Sequence, residues 1–208
     1  MRELKIKDIQ RISVEILVYI DQICRENQIE YSLFYGSLIG SERHQGYIPW
    51  DDDLDIILTR PNYERLIQLL KNDDSYKLLS FETRDNYRYC YAKLVDPNTK
   101  AVTKQYYSSE DPDLGVFVDI FPFDGFPENP EERKQFGDLC ELYRANMMFT
   151  LNHSYAISRS KVKAMVKRVI YYPKYRRLLK KGNYSFWKNK YEELGTWNLL
   201  MKYGEFFR

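Results

Sequence analysis

Two aspartates one residue apart, Asp53 and Asp55, lie in the run Trp50-Asp51-Asp52-Asp53-Leu54-Asp55-Ile56-Ile57. An extended chain alternates its side chains, so both carboxylates point to one face while Leu54 and Ile56 point to the core. Carboxylates this close repel, and burying them uncompensated is costly. A divalent cation removes the conflict, and hard oxygen donors suit Mg2+ or Mn2+, which keep waters and take substrate phosphates as further ligands. Asp119 offers a third carboxylate: it is the lone charge in Gly115-Val116-Phe117-Val118-Asp119-Ile120-Phe121, where strand propensity disfavours it. Facing Asp53 and Asp55 from a neighbouring strand, it would complete a metal site. An acidic triplet alone reads as a solvated turn; the Asp-apolar-Asp step and the strand-borne Asp119 favour the metal.

Gly36-Ser37 stands between a short aromatic strand and a helical turn. There, free backbone N–H groups, a hydroxyl and the helix dipole can hold a phosphate. The elements that must position these groups follow from periodicity. Ile6, Ile9, Ile16, Leu17, Ile20, Ile23 and Cys24 predict an amphipathic helix over 6–27, closed at Asn27. A strand is expected over 31–35, one or two turns of helix over 38–44, and a second strand over 53–58. Thr59-Arg60-Pro61 reads as a helix start, with helical periodicity continuing through Leu70. Strand-like segments follow at 76–81, 87–95 and 101–106, then 115–121, ended by Pro122. Beyond Pro130 the chain reads as helix, broken at Pro173 and Gly182. The expected fold class is α+β: a nucleotidyltransferase-like small mixed sheet with flanking helices over 1–126, and a helical appendage over 127–208.

Apolar residues form 44% of the 208 and charged residues 30%, a balance that excludes a disordered chain. Cys24, Cys90 and Cys140 are widely spaced and odd in number. They indicate neither a disulfide framework nor a zinc knuckle, and a reducing cytoplasm is expected. The charged N-terminus does not read as a signal peptide, and no apolar run approaches the ~18–20 residues that cross a bilayer. The net charge of +2 conceals an asymmetry: residues 159–181 carry ten Lys or Arg and no acid, whereas 1–158 hold 18 basic against 27 acidic residues. Within 159–172, Val162, Met165, Val166, Val169 and Ile170 form an apolar stripe with Lys and Arg on the other face. Such a helix can lie on an anionic membrane surface, or pack on the core with a solvated basic face. Nucleic-acid binding is the weaker reading.

The order of Gly-Ser, paired Asp and distant strand Asp is similar to the nucleotidyltransferase fold. The stretch Tyr35-Gly36-Ser37-Leu38-Ile39-Gly40 through Arg43-His44-Gln45-Gly46-Tyr47-Ile48-Pro49-Trp50-Asp51-Asp52-Asp53-Leu54-Asp55-Ile56 closely resembles the LicD family of phosphocholine transferases, whose domain fukutin-type proteins share. Ala92-Lys93-Leu94-Val95-Asp96, Thr99 and Gly115 to Gly125 add further matches, so the resemblance covers residues 1 to about 150. The region with which members usually continue has no counterpart in 186–208.

That resemblance implies transfer of a phospho-alcohol such as phosphocholine from a CDP-linked donor to a sugar hydroxyl, with CMP leaving. The acceptor would be a lipid-linked, cell-surface glycan of the teichoic acid, capsule or lipopolysaccharide kind. The enzyme would work in the cytoplasm, peripheral on the inner face of the membrane. Asp53 and Asp55 would hold Mg2+, and Asp119 would complete the site and accept the proton of the attacking hydroxyl. Gly36 and Ser37 would cradle a donor phosphate. Arg43 and Lys93 are phosphate clamps or members of surface ion pairs. His44 serves a proton or a structural hydrogen bond; Trp50 stacks on the base or headgroup, or packs its loop. Aromatic residues over 87–91 and Tyr106-Tyr107 suit either a quaternary-ammonium cage or plain packing. Two other readings stand beside this one: nucleotidyl transfer to a small molecule or protein, and a non-catalytic membrane- or polyanion-binding module.

Overall fold

The computed structural model describes residues 3–102, 113–152 and 154–206, with side chains through residue 195. Most of the strand expected over 101–106, and the Tyr106-Tyr107 pair, lie outside the described residues. The chain divides into two units, of which the described residues 3–101 and 113–123 form the first and 124–206 belong to the second.

The first unit begins with α1 (Ile6–Glu26), which buries Ile12, Ile16, Ile20 and Cys24 at four-residue steps, one face of a helix. Each such side chain removed from water contributes about 1.5–3 kcal/mol. Asn27 closes α1, its side chain donating to the Ile23 carbonyl at 2.9 Å. After β1 (Ser32–Leu33) the chain enters α2 (Tyr35–His44), then β2 (Asp55–Thr59) and α3 (Arg60–Lys71). Pro61 sits in the first turn of α3, where no intrahelical N–H is needed. Strands β3 (Lys77–Leu79), β4 (Ala92–Val95) and β5 (Phe117–Phe123) complete a five-stranded sheet of order β1-β2-β5-β4-β3. The β2/β5 pair is parallel and the other three pairs are antiparallel. An α+β fold with a small mixed sheet is what the sequence patterning predicts.

The two faces of this sheet differ. Ile56 and Leu58 of β2, Ala92 and Leu94 of β4, and Val118 and Ile120 of β5 join Leu54 and the buried faces of α1 and α3 in one core. The alternate positions point the other way, where Leu79, Val95 and Tyr87 cluster with Phe81, Tyr89 and Phe117. That second face also carries three buried charges, Asp55, Lys93 and Asp119.

Several boundaries differ from the predicted ones. The strand over 53–58 begins only at Asp55, so Asp53 precedes the paired region. The segment 87–91 is not strand, although β4 follows it directly; its aromatic side chains pack against one another instead. β5 passes through Pro122 rather than ending there. In the β2/β5 ladder Asp119 donates its N–H to Leu54 O, so by alternation the nitrogen of Pro122 faces β4. The β4 ladder has already ended at Ala92–Ile120, and the missing N–H costs no strand hydrogen bond.

In the second unit, α4 (Pro130–Thr150) is capped by Asn129, whose Oδ1 accepts from Glu131 N at 2.8 Å and Glu132 N at 3.3 Å. α4 packs against α6 (Tyr184–Phe206), with Met147, Leu151, Tyr184 and Trp187 buried. The Trp187 indole donates to the Gly182 carbonyl at 2.9 Å, fixing the turn into α6. α5 (Lys161–Leu179) starts at Ser160, whose hydroxyl accepts from Lys163 N at 3.4 Å, and runs through Pro173 without a break. Pro173 removes the donor to the Val169 carbonyl; Val169 is exposed, so water can serve that oxygen.

Candidate active site

Strand register brings the charged residues together. Asp55 lies beside Asp119 across the β2/β5 pair, and Lys93 lies beside Asp119 across β4/β5. The three side chains form a row over the central strands, and each residue is no more than 6% exposed. The Lys93 ammonium stands 2.5 Å from Asp119 Oδ1. It also sits over the Phe117 ring at 3.5 Å, with Tyr89 at 4.7 Å and Tyr91 at 5.1 Å. Those π-faces replace part of the hydration that a buried ammonium loses. Lys93 is thus not a member of a surface ion pair, as its charge alone allows; it is an internal countercharge. Its flanking residues Ala92, Leu94 and Val95 are all apolar, the signal by which burial was readable.

The carboxylates push one another toward their neutral forms. Burial, then repulsion from Asp53 and Asp119, raises Asp55 to about 7 despite the pull of Lys93. Burial raises Asp119 to about 6, with Lys93 opposing and Asp53 adding to the rise. Asp53 is raised by burial and by a hydrogen bond shared with Asp51. For Lys93, burial outweighs the attraction of Asp119, Asp55 and Asp53 and lowers its basicity. This electrostatic conflict is the one a hard divalent cation relieves, and carboxylate oxygens are the donors Mg2+ prefers. Among the described residues, the carboxylates whose oxygens approach closest as a group are Asp51, Asp52 and Asp53, all within 4.8 Å of one another. Asp53 therefore links that acidic loop to the buried row.

Gly36 and Ser37 lie inside the first turn of α2, which starts at Tyr35, rather than ahead of the helix. Tyr35 itself turns the chain with a φ of 42°, left-handed space that a non-glycine residue seldom takes. No side chain caps the helix at Phe34. The Ser37 hydroxyl accepts the backbone N–H of Asp55 at 2.8 Å, tying α2 to the start of β2 and leaving its own proton to donate. Gly36 has a steric reason: a Cβ there would stand 2.6 Å from Asp51 Oδ2. The carboxylate of Asp51 thus reaches the N-terminal turn of α2, favoured by the positive end of the helix dipole. One turn on, a Cβ at Gly40 would meet the Gly46 carbonyl at 2.5 Å, so the same face of α2 is roofed by the following loop. Gln10 of α1 pins that loop by donating to the Asp51 carbonyl at 2.8 Å.

Arg43 and His44 occupy the exposed C-terminal end of α2, and no described hydrogen bond ties either to the carboxylates. Trp50 is 77% exposed, its ring 6.5 Å from that of His44 in an edge-on arrangement. Two contributors, Asp51 and Tyr47, carry no signal in the sequence that sets them apart. Asp51 is one of three adjacent acids and only the fold brings it to α2. Tyr47 is pushed up to about 12 by burial together with the negative field of Asp53, Asp51 and Asp55. Tyr89 and Tyr91 of the aromatic segment 87–91 continue into Phe121 and Phe34, a chain of rings spaced 5.3, 4.2 and 5.6 Å apart beside the charged row.

Comparison with known proteins identifies the family. A family model described as LicD/FKTN/FKRP, nucleotidyltransferase domain, matches residues 28–168, which contain every candidate residue named above. The lipopolysaccharide cholinephosphotransferase LicD of Haemophilus influenzae is 33% identical over 135 residues, covering 63% of this chain and 49% of that protein. An uncharacterized protein of Rickettsia typhi is 30% identical over 127 residues, covering 59% of this chain and 38% of that one. The chain spans about half or less of the length of these relatives. With the family model matching well over half of its residues, the chain belongs to the LicD family.

Proposed function

We propose that this chain carries the catalytic centre of a metal-dependent transferase that moves phosphocholine, or a related phospho-alcohol, from a CDP-linked donor to a sugar hydroxyl. The acceptor is a cell-surface glycan, lipid-linked and modified at the cytoplasmic face of the membrane. The observation that carries this reading is the buried row Asp55–Asp119–Lys93 with Asp53 beside it. Family membership and the cholinephosphotransferase relative supply the reaction class.

Asp53, Asp55 and Asp119 would hold the Mg2+ or Mn2+, with Asp51 and Asp52 grouped around Asp53. When bound, the cation would supply charge neutralisation for the donor diphosphate. The chain's own groups do the rest. The Ser37 proton meets the phosphate of the donor at the first turn of α2, beside the Asp51 carboxylate. The sugar oxygen attacks the phosphorus that bears choline, the bond from that phosphorus to the bridging oxygen breaks, and CMP departs with the electron pair. Asp119, held in place by Lys93 and raised to about 6, takes the proton from the sugar hydroxyl at neutral pH. Tyr91 and Phe121 present ring faces next to the row, suited to a quaternary ammonium. Arg43, His44 and Trp50 stand exposed, available to the nucleotide or the acceptor.

A second reading, nucleotidyl transfer to a small molecule or protein, is favoured by the nucleotidyltransferase description of the matched domain. Product analysis separates the two. With Mg2+ and an acceptor glycan, release of CMP from CDP-choline, CDP-ethanolamine, CDP-glycerol or CDP-ribitol supports the first. Pyrophosphate from ATP or CTP, with a nucleotide joined to the acceptor, supports the second.

A further inference from the structure

Among the described residues, helix α5 is fastened by one side only. Ala164 is fully buried. Tyr171 meets Phe149 edge-on at 6.3 Å, Tyr175 lies 5.0 Å from Tyr155, and Lys167 donates to the Ile157 carbonyl at 3.0 Å. At 3.6 residues per turn, Val162, Met165, Val166, Val169 and Ile170 fall within one sector of roughly 140°, opposite Ala164. Their exposures are 70, 54, 50, 74 and 64%. The helix therefore presents an apolar stripe to solvent on the side away from its own support. Cations border the stripe, Lys163 on one flank and Lys161 on the other, and Arg176 and Arg177 continue its line beyond the last apolar residue. No acidic residue occurs anywhere in 159–181.

We propose that this outward face of α5 is a docking surface for an anionic lipid bilayer, with the five apolar side chains entering the headgroup boundary and the flanking cations meeting lipid phosphates. Each half of the pattern excludes a different partner. A nucleic acid or other soluble polyanion uses the cations but leaves the apolar stripe in water. A second copy of the chain covers the stripe but sets ten positive charges against ten more across a two-fold axis. A bilayer with anionic headgroups satisfies both halves at once, and Tyr172 at the edge of the stripe suits the interfacial layer. The proposal rests on the membrane-side location given above and not on the chemistry at the carboxylates.

Flotation of the full chain with lipid vesicles tests it, in the absence of any nucleotide donor. Binding to phosphatidylcholine vesicles containing one third phosphatidylglycerol is expected to exceed binding to pure phosphatidylcholine by more than about tenfold, since each cation near the surface contributes roughly fivefold. It should weaken with added salt. Val166→Glu with Val169→Glu, both at exposed positions, should abolish flotation while far-ultraviolet circular dichroism stays unchanged. Val18→Glu, at an exposed apolar position of α1, should float like the parent. Absence of flotation, equal binding to both vesicle types, or undiminished binding by the double variant overturns the proposal. So does a concentration-dependent dimer that the double variant dissolves, or a preference for RNA over vesicles. Transfer to a soluble acceptor in the double variant should equal that of the parent; its loss as well would count against the proposed reaction site rather than this surface.

Discussion

Lys93 Nζ lies 2.5 Å from Asp119 Oδ1, and the two residues are 3% and 5% exposed. A buried pair of this kind is costly to form and more costly to break, because removing one partner strands the other charge. Lys93→Met, which keeps the length and volume of the side chain, should therefore destabilise the fold by about 3–5 kcal/mol at neutral pH. Lys93→Met combined with Asp119→Leu should recover most of the loss. Urea unfolding of the parent, both single variants and the double variant gives the coupling; simple additivity would show that the two charges do not depend on each other.

The pH dependence of the metal-free fold has an unusual sign. Burial and carboxylate repulsion raise Asp55 to about 7 and Asp119 to about 6, above the ordinary carboxylate value of 3.8. Between those values the folded chain binds more protons than the unfolded one, so stability falls as pH rises from about 4 to about 7. Thermal melts in chelator should show this decline, and Asp55→Asn should flatten it. Added Mg2+ should raise the melting temperature more at pH 8 than at pH 5, since only the ionised carboxylates attract it. A metal increment independent of pH would contradict the grouping of these carboxylates around a cation.

Two glycines of α2 should respond differently to alanine. The Cβ of Gly36→Ala meets only the carboxylate end of Asp51, which can swing aside, so the fold should survive. Displacing Asp51 disturbs the acidic group it forms with Asp52 and Asp53, and should raise the Mg2+ concentration for half-maximal activity about tenfold, an effect of about 1.4 kcal/mol. Gly40→Ala drives a Cβ into the backbone of Gly46 and Ile48, which cannot yield locally, and should cost about 1–3 kcal/mol of stability. Equal effects of the two variants on stability would remove the distinction.

Ser37→Ala deprives the Asp55 N–H of its acceptor and should cost about 1–3 kcal/mol, the desolvation penalty of an unpaired buried group. Chemical denaturation checks this, and Ser37→Thr, which restores the oxygen, should recover part of the loss.

Patterning made some features legible and hid others, for identifiable reasons. The helical recurrence of Ile9, Ile16, Ile20, Ile23 and Cys24 locates α1 to within a residue, because one apolar face dominates it. Alternation correctly sends Leu54 and Ile56 to the core. Asp119 is conspicuous in its apolar strand, and the structure sets it beside Asp55 in register. Strand ends were less readable. The Asp-apolar-Asp step reads as strand from Asp53, yet of the two aspartates only Asp55 has a pairing partner. The aromatic residues over 87–91 imitate strand propensity while packing as loop. Gly36-Ser37 looks like a loop ahead of a helix, but the left-handed Tyr35 starts the helix early. Pro173 suggests a break in α5, yet a helix exposed at Val169 tolerates the lost hydrogen bond. The aromatic collar of Lys93 depends on register between distant strands, which local sequence does not encode.

Asp53 and Asp55 should support phospho-alcohol transfer through a bound cation. The most direct measurement is CMP release from CDP-choline by the purified chain with Mg2+ and an acceptor glycan, comparing the parent with Asp53→Asn and Asp55→Asn. The parent should release CMP only with Mg2+, and each variant should lose at least about a hundredfold, the scale of removing a group that stabilises transition-state charge. Release that persists at parental rates in both folded variants would contradict this role.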